Sequence, residues 1–217
     1  EMTAVGSLAE LGAFMTSVTR SLEHIGDEWS RAGRLPAAQW RDQCRLLLER
    51  LGGPRAVEWI DDDFDVVYVV APPKTLAGGA LVTMNPSPPL DDDARRSLAA
   101  ARAAHTTAAT SAFDYDTNQA AFRLVVPLRR NGEPDGFAST LFLIDEMLED
   151  LLAARIHDYV ITVHEGDRQL YGPRAPAALA ACPWCRPYTL DLPGGRRWEI
   201  AVRPSAALRA IIETSFP

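Results

Sequence analysis

The 217-residue sequence predicts an α+β fold: a long N-terminal helix followed by a mostly antiparallel sheet with flanking helices. Three observations predict it. Apolar residues recur every three or four positions through the first thirty residues, the period of one helix face. From residue 57 onward the period shortens to that of strands. Finally, Asn131-Gly132-Glu133-Pro134-Asp135-Gly136 is a hairpin signal between two hydrophobic runs, and hairpins join antiparallel neighbours.

The first helix is carried by Leu8, Leu11, Met15, Val18, Leu22, Ile25 and Trp29, a heptad-like seam of about three repeats. Such a seam packs on its own domain or pairs with its twin in a dimer. After the Gly33-Arg34-Leu35-Pro36 break, a second helix begins near Pro36. It turns Trp40, Cys44, Leu47, Leu48 and Leu51 inward and stops at Gly52-Gly53. Strands are predicted at Val57–Asp61 and Val66–Val70, with the acidic run Asp61-Asp62-Asp63 between them, either a solvated hairpin connection or a divalent-ion site. Residues 71–90 hold five prolines and little periodicity, and form an irregular excursion. Asp91-Asp92-Asp93 opens a helix that ends near Ala104, where acids suit the first turn. Further strands are predicted at Thr107–Phe113, Phe122–Leu128, Phe137–Leu143, Tyr159–His164, Gln169–Tyr171, Tyr188–Leu192 and Trp198–Val202. Helices are predicted at Asp145–Ala154 and Ser205–Thr214.

Hydrophobic residues make up 47% of the chain and charged residues 24%, a globular profile, and the net charge is −7. That acidity and the lack of any basic run longer than a pair argue against binding nucleic acid or an anionic membrane. No apolar stretch approaches the roughly 18–20 residues of a membrane helix, and no signal peptide is visible. Gly-x-Ser-x-Gly, the P-loop and Gly-x-Gly-x-x-Gly are absent. His24, His105, His157 and His164 fall in no metal-binding spacing. Neither an enzyme nor a cofactor or metal site is indicated. Cys182-Pro183-Trp184-Cys185 is open to four readings: a small loop disulfide, favoured in an oxidising compartment, a redox pair, free thiols, or half a metal site. The redox reading needs Cys182 at a helix start, and Pro187 with the following strand weighs against it.

Several segments together resemble the CHASE group of extracellular sensor domains. Leu51-Gly52-Gly53 before Ala56-Val57-Glu58-Trp59-Ile60 is similar to the group's helix-to-strand step. Leu98–His105 before Thr110-Ser111, and Arg123-Leu124-Val125-Val126-Pro127-Leu128, are similar to its next two elements. Asp135-Gly136-Phe137-Ala138 with Leu143–Leu148, and Trp198–Pro204, resemble its later strands. The resemblance spans roughly residues 45–205; residues 71–90 and the Cys-Pro-Trp-Cys segment depart from it. It implies a PAS-like core held between two membrane helices of a histidine kinase or diguanylate cyclase. The pocket would lie between the central sheet and its covering loops.

On that basis residues 1–53 are expected to form a two-helix segment, 54–204 the PAS-like sensor core, and 205–217 an exit helix toward the membrane. The expected function is extracytoplasmic sensing of a small molecule by part of an inner-membrane protein. The first and last helices would leave the fold side by side, and a homodimer could form through the N-terminal helix. Candidate ligand residues are Tyr68, Asp114, Tyr115, Arg123 and Asp135. Three have a plainer alternative: Tyr68 as core filling, Arg123 on the solvent side of its strand, Asp135 in a simple Asp-Gly turn; Tyr115 is a candidate by position only. An interaction module without a small ligand, or a periplasmic thiol–disulfide protein, are the alternative functions.

Overall fold

The computed structural model describes residues 2–51, 53–72, 74–75, 81–82, 87–117, 119–152, 159–173 and 186–215. Helix α1 (Met2–Ala32) buries Leu11, Met15, Val18, Leu22, Ile25 and Trp29 of the predicted seam; the side chain of Leu8 lies outside what the structure describes. It lies on a sheet rather than on a second long helix, and a broad sheet accepts a seam of this kind as readily as a coiled-coil partner does. At Gly26 the approach is close: a Cβ there would come within 3.2 Å of the Val126 side chain. Helix α2 (Ala37–Leu51) packs Trp40, Cys44, Leu47 and Leu48 into the same core.

The strands form two principal sheets where the sequence suggested one. The first contains β1 (Pro54–Ile60), β2 (Val66–Val70), β5 (Ala108–Ala109), β6 (Phe113–Asp114), β7 (Ala120–Arg130) and β8 (Glu133–Leu143), in the order β2-β1-β8-β7-β5 with β6 also on β7. The second contains β9 (Tyr159–Glu165), β10 (Arg168–Tyr171), β11 (Arg186–Leu192) and β12 (Arg196–Pro204), in the order β10-β9-β12-β11. A two-residue ribbon pairs β3 (Lys74–Thr75) with β4 (Leu81–Val82). Every pairing among the described residues is antiparallel. Hydrophobic runs mark strands without saying which pair, so the split into two sheets was hidden in the sequence. The sheets share one core: Phe122 stacks on Phe142 at 5.0 Å and meets Trp198 of β12 edge-on at 4.9 Å.

The other α-helices among the described residues are α3 (Asp92–Ala104), α4 (Ile144–Leu152) and α5 (Ala206–Ser215). Asp91 caps α3, its carboxylate accepting the Ala94 N–H at 2.7 Å. The Asp61-Asp62-Asp63 run is the β1–β2 connection, where the Asp61 Oδ1 accepts the N–H groups of Asp63 and Asp65. Among the described residues no group of three or more His, Cys, Asp or Glu could hold a metal. No helix is long and apolar enough to cross a membrane there either.

Two local expectations need correction. Thr107–Phe113 is not one strand. The Thr110 hydroxyl takes the Arg123 N–H at 2.9 Å, a donor the backbone ladder would otherwise use, and the segment breaks into β5 and β6. The hairpin turn is shorter than the six-residue signal. Asn131 and Gly132 alone turn, both with positive φ (55° and 87°), as a two-residue primed turn requires. Asp135 and Gly136 therefore lie inside β8.

Candidate functional site

Strand alternation gives the six-stranded sheet two unlike faces. The inner face, toward α1 and α2, carries Val57, Phe122, Leu124, Val126, Ala138 and Phe142. On the outer face stand the alternate residues, in two separate apolar clusters. One gathers Ile60, Leu90, Leu98, Val125 and Phe137 under α3. The other gathers Ala56, Ala121, Leu141 and Leu143 with half-buried Phe113 and Tyr115.

Charge lies on the same outer face. Glu58 of β1 is 0% exposed and Arg123 of β7 is 1% exposed. They reach each other across β8, Arg123 Nε donating to Glu58 Oε2 at 3.0 Å. The register sets Ser139 of β8 beside Glu58, and its hydroxyl donates to the same oxygen at 3.2 Å. Ser87 completes the set by donating to Glu58 Oε1. Arg123 Nη2 donates to the Ser87 hydroxyl at 3.0 Å and to the Pro88 carbonyl at 2.6 Å. The guanidinium carbon sits 4.7 Å from the centre of the Phe113 ring. A buried ion pair with these partners is chemically satisfied. It is nevertheless a costly way to fill a sheet face, because well-packed hydrophobic groups are often at least as stable there.

The five candidate residues do not converge on one cavity. Arg123 and Tyr115 stand on the outer face, and Arg123 is buried rather than turned to solvent. Asp114 is an exposed edge residue paired with Arg168 of β10. Tyr68 lies opposite Trp59 on β1 and packs against the inner core. Asp135 also serves the inner side: it is 5% exposed and accepts the Trp29 indole N–H at 2.8 Å, with Arg34 at 3.3 Å and Arg130 at 3.8 Å. Its setting depends on Gly136, φ 86°, where a Cβ would fall 2.2 Å from the Ile60 carbonyl oxygen. Cys182 and Cys185 lie outside the described residues. Glu58, Ser87 and Ser139 were missed. The available signal was an isolated acid in an apolar strand, Val57-Glu58-Trp59, matching the isolated Arg123 in another.

The outer face is joined to the second sheet through residues 110–114. Ala112 donates its N–H to Glu165 Oε2 at 2.9 Å, and Arg168 donates to the Ala112 carbonyl. Ser111 bonds Asp93 of α3, which pairs with Arg196 at the start of β12 at 2.9 Å. The strand that begins at Arg196 leads directly to α5.

No protein-family model matches this chain, and no curated protein matches it. Solved structures do. An extracellular ligand-binding receptor from Desulfohalobium retbaense superposes with a TM-score of 0.64 at 16% identity, over 91% of this chain and 38% of that one. This chain thus spans well under half of that receptor. The ligand-binding domain of the Pseudomonas aeruginosa amino-acid chemoreceptor PctC, in complex with GABA, gives 0.59 at 15% identity, over 89% of this chain and 94% of that one. The ligand-binding domain of the Pseudomonas fluorescens chemoreceptor CtaA, in complex with L-alanine, gives 0.59 at 12% identity over 94% and 95%. At these identities the likeness is one of fold: this chain has the α+β architecture of bacterial extracellular ligand-binding domains.

Proposed function

We propose that this chain is the extracytoplasmic sensor domain of a bacterial membrane-bound signalling protein, and that it is not itself an enzyme. It binds a small molecule on the outer face of the six-stranded sheet. One observation carries the reading: a buried Glu58–Arg123 pair stands between two apolar clusters on the face that α1 leaves uncovered. An apolar surround with a few fixed polar groups is the usual build of a ligand site. The fold shared with chemoreceptor ligand-binding domains supports it. Within that class, the segments spanning residues 45–205 favour a CHASE-type domain, with residues 1–53, 54–204 and 205–217 as helical segment, sensor core and exit helix.

A ligand signals only if it binds two arrangements unequally. The contacts of residues 110–114 with Glu165 and Arg168, and of Asp93 with Arg196, form the route by which a shift at Arg123 reaches β12 and α5. From there it passes to a membrane helix of the parent protein. A thermal-shift screen of metabolites tests the reading: a ligand raises the melting temperature by mass action, and Arg123→Lys abolishes that rise. A set of hits unaffected by Arg123 would move the site elsewhere.

A second reading, an interaction module, is favoured by one feature. Leu46 is 52% exposed in a cavity of about 730 Å³ between α1 and α2, lined also by Arg20, His24 and Arg50. A homodimer through this face would dissociate in Leu46→Glu, as read by sedimentation.

A further inference from the structure

We propose that the ligand is a neutral, hydroxyl-bearing molecule, a monosaccharide or a polyol, and that Ser87-Pro88 compete with it for Glu58 and Arg123. This rests on the outer face being the ligand site, and goes beyond it by naming the chemical class.

The chemistry around Ser87 restricts what can replace it. Its hydroxyl donates to Glu58 Oε1 and accepts from Arg123 Nη2 at 3.0 Å. A carboxylate only accepts and a guanidinium only donates, so the atom between them must do both. A hydroxyl does. An ammonium group has three donors and no lone pair, and its charge would face the guanidinium. A carboxylate oxygen has no proton for Glu58. Beside it, the Pro88 carbonyl accepts from the same Nη2 at 2.6 Å, a position open to a second hydroxyl, a carbonyl or a ring oxygen.

Charge points the same way. Glu58 and Arg123 already cancel, both are buried, and the segment that satisfies them is neutral. A hydroxy acid would leave one uncompensated negative charge beside the buried pair, and a zwitterionic amino acid would bring two further charges to desolvate there, each of them costly. A neutral ligand exchanges hydroxyl for hydroxyl with no change of charge. Ser87-Pro88 thus act as an internal competitor, and the ligand's apparent affinity is lowered by the fraction of molecules in which they are seated.

Calorimetric titration of the 217-residue chain tests this with three panels. The neutral panel is D-glucose, D-galactose, D-ribose, D-fructose, glycerol and myo-inositol; the others are amino acids (L-alanine, GABA) and hydroxy acids (L-lactate, glycolate). Binding is expected in the neutral panel alone. Ser87→Ala is expected to tighten it about threefold to tenfold by weakening the competitor. Arg123→Lys is expected to weaken it at least about tenfold, since the fork that holds two oxygens is lost. Far-ultraviolet circular dichroism confirms that each variant is folded, and Ser87→Ala carries the test if Arg123→Lys is not. Silence across the neutral panel, or unchanged or weaker binding by Ser87→Ala, overturns the inference. Binding of an amino acid or hydroxy acid that responds to Ser87 and Arg123 overturns the class while the site stands. A ligand indifferent to both residues overturns the site as well.

Discussion

The two faces of the six-stranded sheet are built from the same strands, one residue apart, and they differ in kind. Val57 and Phe122 point inward to a continuous apolar layer beneath α1 and α2. Glu58 and Arg123, their immediate neighbours, point outward and bury a charged pair between two smaller clusters. The inner face holds the molecule together through area and fit. On the outer face, side chains are held in fixed positions at a cost that packing alone would not require. The contrast locates stability on one side and proposed recognition on the other.

The contrast breaks most directly by cutting into each face. Phe142→Ala removes a ring that touches Phe14 and Phe122 at the junction of α1 and the sheet. A loss of about 3–5 kcal/mol in urea unfolding is expected, from lost transfer energy and the cavity left behind. Arg123→Met should cost about as much, for a different reason: it strands Glu58 as an unpaired buried charge. The two costs separate in the double variant. Glu58→Leu with Arg123→Met replaces the pair by apolar side chains of similar bulk. Its stability should return to within about 1 kcal/mol of the parent or exceed it. A double variant as unstable as the sum of its singles would make the pair a structural element and remove the support for a site.

A smaller effect is expected where charge enters the inner side. Trp29→Phe keeps the packing on Trp40 and Trp59 but removes the donor to Asp135. Asp135 retains Arg34 and Arg130, so the loss should stay near about 1 kcal/mol, the low end for a buried hydrogen bond. A loss as large as that of Phe142→Ala would show that Asp135 depends on the indole alone.

The same contrast explains what could be read from sequence. The inner face is written in local pattern: the α1 seam from Leu11 to Trp29 recurs at the helical period, the strands stand out as apolar runs, and each was legible locally. The start of α3 at Asp91-Asp92-Asp93 and a hairpin within residues 131–136 were legible for the same reason, though not the capping role of Asp91 or the two-residue length of the turn. The outer site is written in pairing. Glu58 meets Arg123 only because β8 lies between β1 and β7, and Ser87 joins them from 29 residues down the chain from Glu58. Arg123 was singled out because it interrupts an apolar strand, yet its partner could not be named without the strand order. Asp135 looked like a turn residue because the turn ends at Gly132, four residues earlier than its composition suggests. Tyr68 fell on the inner side because its register follows Trp59.

Titration distinguishes the faces once more, through Cys44. This thiol is fully buried against the inner core and free, and desolvation pushes its pKa up to about 12. Where the outer face sets two charges against each other, the cluster that holds Cys44 on the inner side is apolar. In the unfolded chain the thiol ionises near its ordinary value, so between about pH 9 and 12 the unfolded state loses a proton that the folded state keeps. The stabilising contribution is therefore complete below the unfolded pKa and is lost as pH rises through the folded one. The slope approaches about 1.4 kcal/mol per pH unit. Cys44→Val should remove that component. The difference in unfolding free energy between parent and variant should be flat from about pH 6 to 8 and turn against the parent above about pH 9. A difference that stays flat to pH 11 would mean that the thiolate is tolerated inside, and that the inner layer is less strictly apolar than its packing implies.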